Sequence, residues 1–335
     1  MKSVSILIPT LNAGRVLEAC LASIAQQDYD PDRVEIVVAD GGSTDQTLTI
    51  ARRYTDRIYP NPRQTGEAGK AVALQHASGE IAAFIDSDNI LPQTDWLARM
   101  VAPFDDAEIV AAEPIEYTYR RQDGYITRYC ALMGMNDPLC LFLGNYDRYC
   151  TLTGKWTDMP VAVEDEGTFL KVTLEGARLP TIGANGFLVR RSALDGCSVR
   201  DYVFDIDVVY ELLQQGQCKF AKVKTGIVHV FSGSAGTFVR KQRRRIKDYL
   251  FFSRSRLRKY PWKSTAKGRL AKFVLYGATV VPLWIQSLIG FTRKPDWAWA
   301  FHPFACWITL FVYGAETIRG TLPGAQLQSR EHWGQ

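Results

Sequence analysis

Residues 82–91 read AAFIDSDNIL. An apolar run delivers two carboxylates, Asp86 and Asp88, separated by one serine, and then turns apolar again. A buried carboxylate without a partner is costly, or it takes up a proton and becomes neutral. The pair is therefore expected at a strand end, facing water, a cation or both. A solvated turn would account for the same residues, because Asp and Asn are common in turns. The segments on either side have to decide.

Upstream, strand and helix signals alternate. Val4–Ile8 is a β-branched run closed by Pro9, and Arg15–Ala25 carries apolar residues at helical spacing. Glu35–Ala39 predicts a second strand ending at Asp40, and Gln46–Tyr54 a second helix with Ser43 or Asp45 placed to cap it. Lys70–Ala77 predicts a third helix, Ile81–Ile85 the strand that enters the two acids, and Asp95–Val101 a further helix. Such alternation predicts a doubly wound α/β fold with a mostly parallel central sheet flanked by helices. In these sheets ligands bind beyond the carboxyl ends of the strands. Pro9-Thr10, Asp40-Gly41-Gly42 and Asp86-Ser87-Asp88 occupy those ends, so three polar strand ends are expected in one crevice. Further on, PTIGANGFLVRRSAL (Pro180–Leu194) predicts a glycine turn entering a strand and then a helix start. Tyr202–Gly216 predicts a helix stopped by Gly216. No repeat or low-complexity linker interrupts this part, which is expected to form one catalytic domain over residues 1–239.

The chain has 335 residues, 47% of them hydrophobic, ample for one sizeable core with added elements. Its seven cysteines have no CxxC or zinc-like spacing and are expected to be reduced thiols of a cytosolic compartment. The opening MKSVSILIPTLN is not expected to be a secretion signal, since Pro9 and Asn12 break its short apolar run. The net charge of +5 is unevenly placed. Residues 240–272 hold 14 Lys or Arg against Asp248 alone, leaving the rest of the chain at a net −8. Such a collar suits nucleic acid, anionic lipid or a polyphosphate ligand. Phe273–Phe291 and Trp297–Ala315 are each 19 residues long without Asp, Glu, Lys or Arg, and His302 is their one histidine. About 20 apolar residues cross a bilayer, and the tryptophans at 284, 297, 299 and 307 fit an interfacial belt. A pair of buried core helices is the alternative. The expectation is a basic membrane-interface segment (240–272), a hydrophobic helical hairpin in the membrane (273–320) and a polar tail (321–335), with the catalytic domain on the cytoplasmic side.

VSILIPTLN, EIVVADGGSTDQT, AAFIDSDNIL and GANGFLVRRSAL…VFDIDVVYELLQQG follow one another in an order and at a spacing that resemble the family 2 glycosyltransferases. The resemblance covers about residues 1–215 and more loosely reaches 250. It implies a GT-A fold and an inverting transferase that uses a nucleotide-diphosphate sugar, UDP first and GDP second, with Mg²⁺ or Mn²⁺. Asp88 is then the direct metal ligand, while Asp86 touches the ribose or a metal-bound water. His229 would close the metal site, unless it is a structural histidine. Asp40 would accept the nucleobase imide N–H, although Gly41 stands where many relatives carry a second acid. Pro9, Thr10 and Asn12 would line that pocket, or Thr10 and Asn12 merely cap a helix. Gly69 and Lys70, read as preceding the third helix, would approach the diphosphate at its N-terminus. Asp205 aligns with the general base that deprotonates an acceptor hydroxyl, with Asp207 beside it and Phe204 where many members have an acid. A plain acidic pair at a helix start is the alternative. The rival cluster VEDEG, Val163–Gly167, is expected to be an exposed turn. QRRRI (Gln242–Ile246) resembles the Gln-x-x-Arg-Trp motif of processive synthases, with Ile246 in place of Trp, so Arg245, Arg244 or Arg240 would clamp the diphosphate, or these arginines form a collar for lipid headgroups.

The expected partners are the donor, a lipid-linked or glycan acceptor and anionic membrane lipids, with no nucleic acid. Two other readings stay open: transfer to a polyprenyl phosphate, which needs no base, and a catalytically silent nucleotide-sugar-binding scaffold. A nucleotidyltransferase would need a glycine-rich basic N-terminal loop, of which LNAGRV is a poor version.

Overall fold

The computed structural model describes residues 1–176, 178–255, 258–261 and 267–321. They form two compact units. One comprises residues 1–118 and 160–229, the other residues 119–159 and those from 230 onward. This division differs from the expected boundary at 239. Residues 119–159 belong with the C-terminal segments, because their helices share an apolar core with them.

In the first unit, ten strands make one sheet: β1 (Val4–Thr10), β2 (Val34–Asp40), β3 (Ile58–Pro60), β4 (Ile81–Phe84), β5 (Asn89–Ile90), β6 (Ile109–Tyr117), β7 (Ala162–Asp165), β8 (Phe169–Thr173), β9 (Phe187–Arg190) and β10 (Lys219–His229). The order is β3-β2-β1-β4-β9-β6-β10-β8-β7, with β5 paired to the end of β10. β3, β2, β1 and β4 are mutually parallel, as are β6 and β10; β9 runs antiparallel between β4 and β6. β4 is buried throughout and β1 nearly so, as expected of parallel strands covered on both faces. The helices of this unit are α1 (Leu17–Ala25), α2 (Thr47–Ala51), α3 (Gly66–Gln75), α4 (Trp96–Val101) and α7 (Asp205–Gln214).

Most segments fall where the sequence put them. α2 is shorter than expected, and Asp45 rather than Ser43 accepts from the Thr47 N–H, at 3.0 Å. α3 begins four residues earlier than expected, because the Thr65 hydroxyl caps it by accepting from the Ala68 N–H at 3.2 Å. Lys70 is consequently inside α3 and not in front of it. Val163–Gly167 lies on the exposed β7 and the turn after it, where Gly167 has φ +75°.

The second unit is helical: α5 (Tyr125–Met133), α6 (Leu139–Leu143), α8 (Ala235–Ser255), α9 (Lys267–Thr279), α10 (Val281–Arg293) and α11 (His302–Thr321), with a 3₁₀ turn at Trp297–Phe301. Tyr129, Met133 and Phe142 from α5 and α6 share one buried cluster with Phe238, Phe273, Leu283 and Trp299. The expected continuous segment Phe273–Phe291 is broken. Val280 has φ +61°, Pro282 opens α10, and the two helices meet at 94°. Val280 is a β-branched residue in a left-handed conformation, where proline's fixed geometry starts a new helix. Among the described residues, Trp297–Gly320 alone is long and apolar enough to cross a membrane as one piece, and 44% of its most apolar window is buried inside the protein. Residues 256–257 and 262–266 of the basic segment, and residues 322–335 of the expected polar tail, lie outside the described residues.

Candidate active site

The parallel register β2–β1–β4 brings the three polar strand ends side by side. Thr10 and Asp40 are register partners, and the Thr10 hydroxyl donates to Asp40 Oδ1 at 3.0 Å. The same carboxylate accepts from the Ser43 hydroxyl at 2.6 Å and from the N–H groups of Gly42 and Ser43 at 2.9 and 2.8 Å. A carboxylate offers about four acceptor positions. Asp40 therefore spends its capacity on Thr10 and its own turn, and the expected nucleobase contact needs one of these donors to give way. Asn12, at φ +49°, accepts from the Thr44 N–H at 2.9 Å, and its own N–H donates to the Ser43 hydroxyl at 2.8 Å. It laces the β1 exit loop to the β2 exit loop and does not cap a helix. Pro9 presses on α3: a Cβ at Gly69 would lie 2.8 Å from the Pro9 Cβ.

Lys70 is 5% exposed and links two of the expected acids. Its ammonium lies 2.7 Å from Asp205 Oδ1 and 3.8 Å from Asp86 Oδ1. Burial pulls its pKa down, but Asp205 and Asp86 outweigh that, so the net shift is upward. At Asp205 burial raises the carboxyl to about 6; the Lys70 ammonium works against the rise and Asp86 adds to it. Its side chain still keeps 29% exposure. Asp205 stands at the first position of α7, and Asp207 two positions further is buried. The loop before β9 approaches closely. Gly183 has φ +118°, and a Cβ there would meet the Asp205 carbonyl at 2.8 Å. The Gly183 N–H donates to Glu113, which pairs with Lys222 at 2.5 Å, both carrying no exposed side-chain surface.

The Asp-Ser-Asp turn is fixed from below by residues the sequence did not single out. Asn89 accepts from the Asp86 N–H at 3.0 Å, and its amide donates to Asn185 Oδ1 at 3.0 Å. Asn185 in turn donates to the Tyr117 hydroxyl at 3.1 Å, and the Tyr117 ring lies 5.5 Å from that of His229. The pairing His229↔Asn89 between β10 and β5 carries the histidine to the turn. There His229 Nε2 comes within 3.4 Å of Asp88 Oδ2. Asn89 is visible in the sequence only as a turn residue, and Asn185 only as part of a glycine-rich stretch.

Among the described residues, no three His, Cys, Asp or Glu side chains gather in a way that would hold a metal ion unaided. Asp88 and His229 make a facing pair, while Asp86 is turned to Lys70. A hard cation that takes most of its ligands from phosphate oxygens and water needs only one or two protein groups, and Asp88 with His229 fits that need. Arg245 belongs to the second unit. Its guanidinium donates to Gln242 Oε1 at 2.7 Å and lies 3.8 Å from Asp137 Oδ2, which accepts from the Tyr313 hydroxyl at 2.6 Å.

Residues 5–153 match the model described as Glycosyl transferase family 2. Glycosyltransferase AglE of Haloferax volcanii is 28% identical over 139 residues, which are 39% of this chain and 45% of that protein. The poly(ribitol-phosphate) beta-N-acetylglucosaminyltransferase TarS of Staphylococcus aureus is 37% identical over 97 residues, 27% of this chain and 17% of its own. The chain thus spans less than half the length of these curated relatives. Among solved structures, the mannosyltransferase PcManGT of Pyrobaculum calidifontis, in complex with GDP-Man and Mn²⁺, aligns with a TM-score of 0.51. The alignment covers 94% of this chain and 88% of that one at 18% identity, and the likeness is one of fold. The α/β architecture is the expected GT-A fold.

Proposed function

Because residues 5–153 match the model described as Glycosyl transferase family 2, we propose that this chain is a member of that family and moves a sugar from a nucleotide-diphosphate sugar to an acceptor hydroxyl, with inversion. The observation that carries this reading is the meeting of Asp205, Lys70 and Asp86 next to the Asp88–His229 pair at the carboxyl ends of the strands. The acceptor oxygen attacks the anomeric carbon, its proton passes to Asp205, and the sugar–phosphate bond breaks to release the nucleoside diphosphate. Lys70 holds one oxygen of Asp205, which leaves the other to receive the proton. Asp88 and His229 would hold a divalent cation, Mg²⁺ or Mn²⁺, which neutralises charge on the departing diphosphate. Asn89 and Asn185 keep the Asp-Ser-Asp turn in register with the base. The Asp40 turn and the Asn12 loop form the floor for the nucleobase.

UDP-sugars are the first donors in this reading and GDP-sugars the second. The acceptor is a lipid-linked or glycan hydroxyl at the cytoplasmic face of a membrane. The Lys70–Asp205 ion pair favours one alternative, since a carboxylate engaged by an ammonium is a weaker base. A polyprenyl-phosphate acceptor is already anionic and needs no base.

The test is release of nucleoside diphosphate from a panel of UDP- and GDP-sugars with Mn²⁺, with and without lipid extracts as acceptors. Turnover with one donor supports the proposal. Tight nucleotide binding without any sugar release would identify a silent binding protein instead.

A further inference from the structure

In α10 most of the large apolar side chains face outward. Trp284, Ile285, Leu288 and Ile289 are 40–63% exposed, whereas Leu283, Ser287 and Gly290 are buried and Gln286 is half-buried. With Val281, 64% exposed, these residues recur at the spacing of one continuous helical face. α11 repeats the pattern: Phe304, Phe311 and Ile318 are exposed at intervals of seven, while His302, Thr309 and Glu316 are buried. α9 adds Leu270, Val274 and Leu275. Of 18 exposed large hydrophobic residues in the described chain, 12 lie between Leu270 and Ile318. Single exposed apolar residues are ordinary, but a contiguous face marks an interaction surface.

The charges around this face indicate its occupant. α9 and α10 contain no acidic residue, and Arg269 and Lys272 in α9 and Arg293 and Lys294 at the end of α10 stand exposed. Exposed Trp284 and Trp297 carry an apolar body with one polar tip, which suits the boundary between headgroups and acyl chains.

The packing argues against a span. At about 1.5 Å per residue, α9 and α10 each extend roughly 20 Å, short of a hydrocarbon core of about 30 Å, and they bend by 94°. α11 is long enough but is bound along one side to the strongly basic α8. Glu316 pairs with Arg243 at 3.2 Å, Tyr313 meets Gln242 at 3.2 Å, and Arg254 donates to the Gly320 carbonyl at 2.8 Å. Taking α11 across a bilayer would draw that charged helix into hydrocarbon.

We propose that the outward apolar faces of α9, α10 and α11 seat the second unit in the surface layer of a bilayer containing anionic lipid, lying in the plane and not crossing it. Hydrophobic area supplies the insertion, and Arg269, Lys272, Arg293 and Lys294 add attraction to the headgroups. Nothing in this depends on the proposed sugar transfer.

Flotation of the full-length chain with phosphatidylcholine vesicles, with and without 30% phosphatidylglycerol, tests it. The wild type is expected to float with the anionic vesicles. The double variant Ile285→Glu/Leu288→Glu, altered only at exposed positions, should keep its thermal melting temperature and lose at least tenfold in partitioning. Lys272→Gln/Lys294→Gln should lose roughly fivefold per charge on anionic vesicles alone. Fluorescence quenching that disappears in Trp284→Phe should be strongest with bromines placed near the headgroups. Equal flotation of the Glu variant, quenching strongest at the bilayer centre, or a stable dimer that ignores vesicles would each overturn the proposal. The last result would mean that a second copy covers the face.

Discussion

β4 and α10 bury their residues by opposite rules. In β4 every side chain is buried and the acids wait until the strand has ended. In α10 Leu283, Ser287 and Gly290 face the protein while Trp284, Ile285, Leu288 and Ile289 face outward. Both segments read as apolar runs in the sequence. Hydrophobicity shows that a segment avoids water but not where it goes to do so. In β4 the shelter is the protein's own core. In α10, on the proposal above, it is lipid. On the two proposals, the first segment ends in chemistry and the second in location.

Four experiments can break or sharpen that contrast, and the largest effect belongs to the polar strand ends. Asp205→Asn preserves shape and removes basicity, so turnover should fall by roughly two to four orders of magnitude while nucleotide-sugar affinity holds. An unchanged turnover would move the acceptor from a hydroxyl to a phosphate. Next come two leucines of α10, five positions apart. Leu283 has no exposed surface, and Leu283→Ala should cost about 2–5 kcal/mol of stability by chemical denaturation.

The third experiment follows pH. Asp205 must be ionised to accept a proton, so kcat/KM should fall as pH drops through about 6. Lys70 holds the Asp205 carboxyl down against burial, so Lys70→Met should move this acidic limb to higher pH. A limb that stays in place would show that the ammonium does not act on the base. The smallest change in stability is expected at Leu288, which is 63% exposed. Leu288→Ala should stay within about 0.5 kcal/mol of wild type in water, yet weaken vesicle flotation. A large loss of stability at Leu288 would mean that α10 is packed against protein on both faces.

The sequence reached the acids and stopped short of their supports. Asp86, Asp88 and Asp205 were legible because a carboxylate after an apolar run, or at a helix start, needs a reason to be there. Asn89, Asn185 and Tyr117 were not, because their importance lies in hydrogen bonds across 96 and 68 positions of chain. Lys70 was placed ahead of a helix that Thr65 starts earlier, and its tie to Asp205 spans 135 positions. The strand order was partly legible, since alternating strands and helices predict parallel neighbours, but β9 between β4 and β6 has no local signal. The broken segment at Val280 was missed for a similar reason. Pro282 was visible, yet the 94° turn depends on a backbone conformation that no composition encodes. Residues 119–159 contain no linker signal, and only their apolar partners beyond residue 230 assign them to the helical unit.

The position of β9 has a consequence during synthesis. β4 is made about a hundred residues before the strand that pairs with its open side. At about 5–20 residues per second, β1, β2 and β4 wait roughly 5–20 s with a fully apolar edge unpaired. Through that interval the nascent chain offers a template for stray strand pairing. Slow translation between residues 85 and 186 should therefore lower the yield of soluble protein more than equal slowing after residue 230, and a chaperone that covers strand edges should recover it.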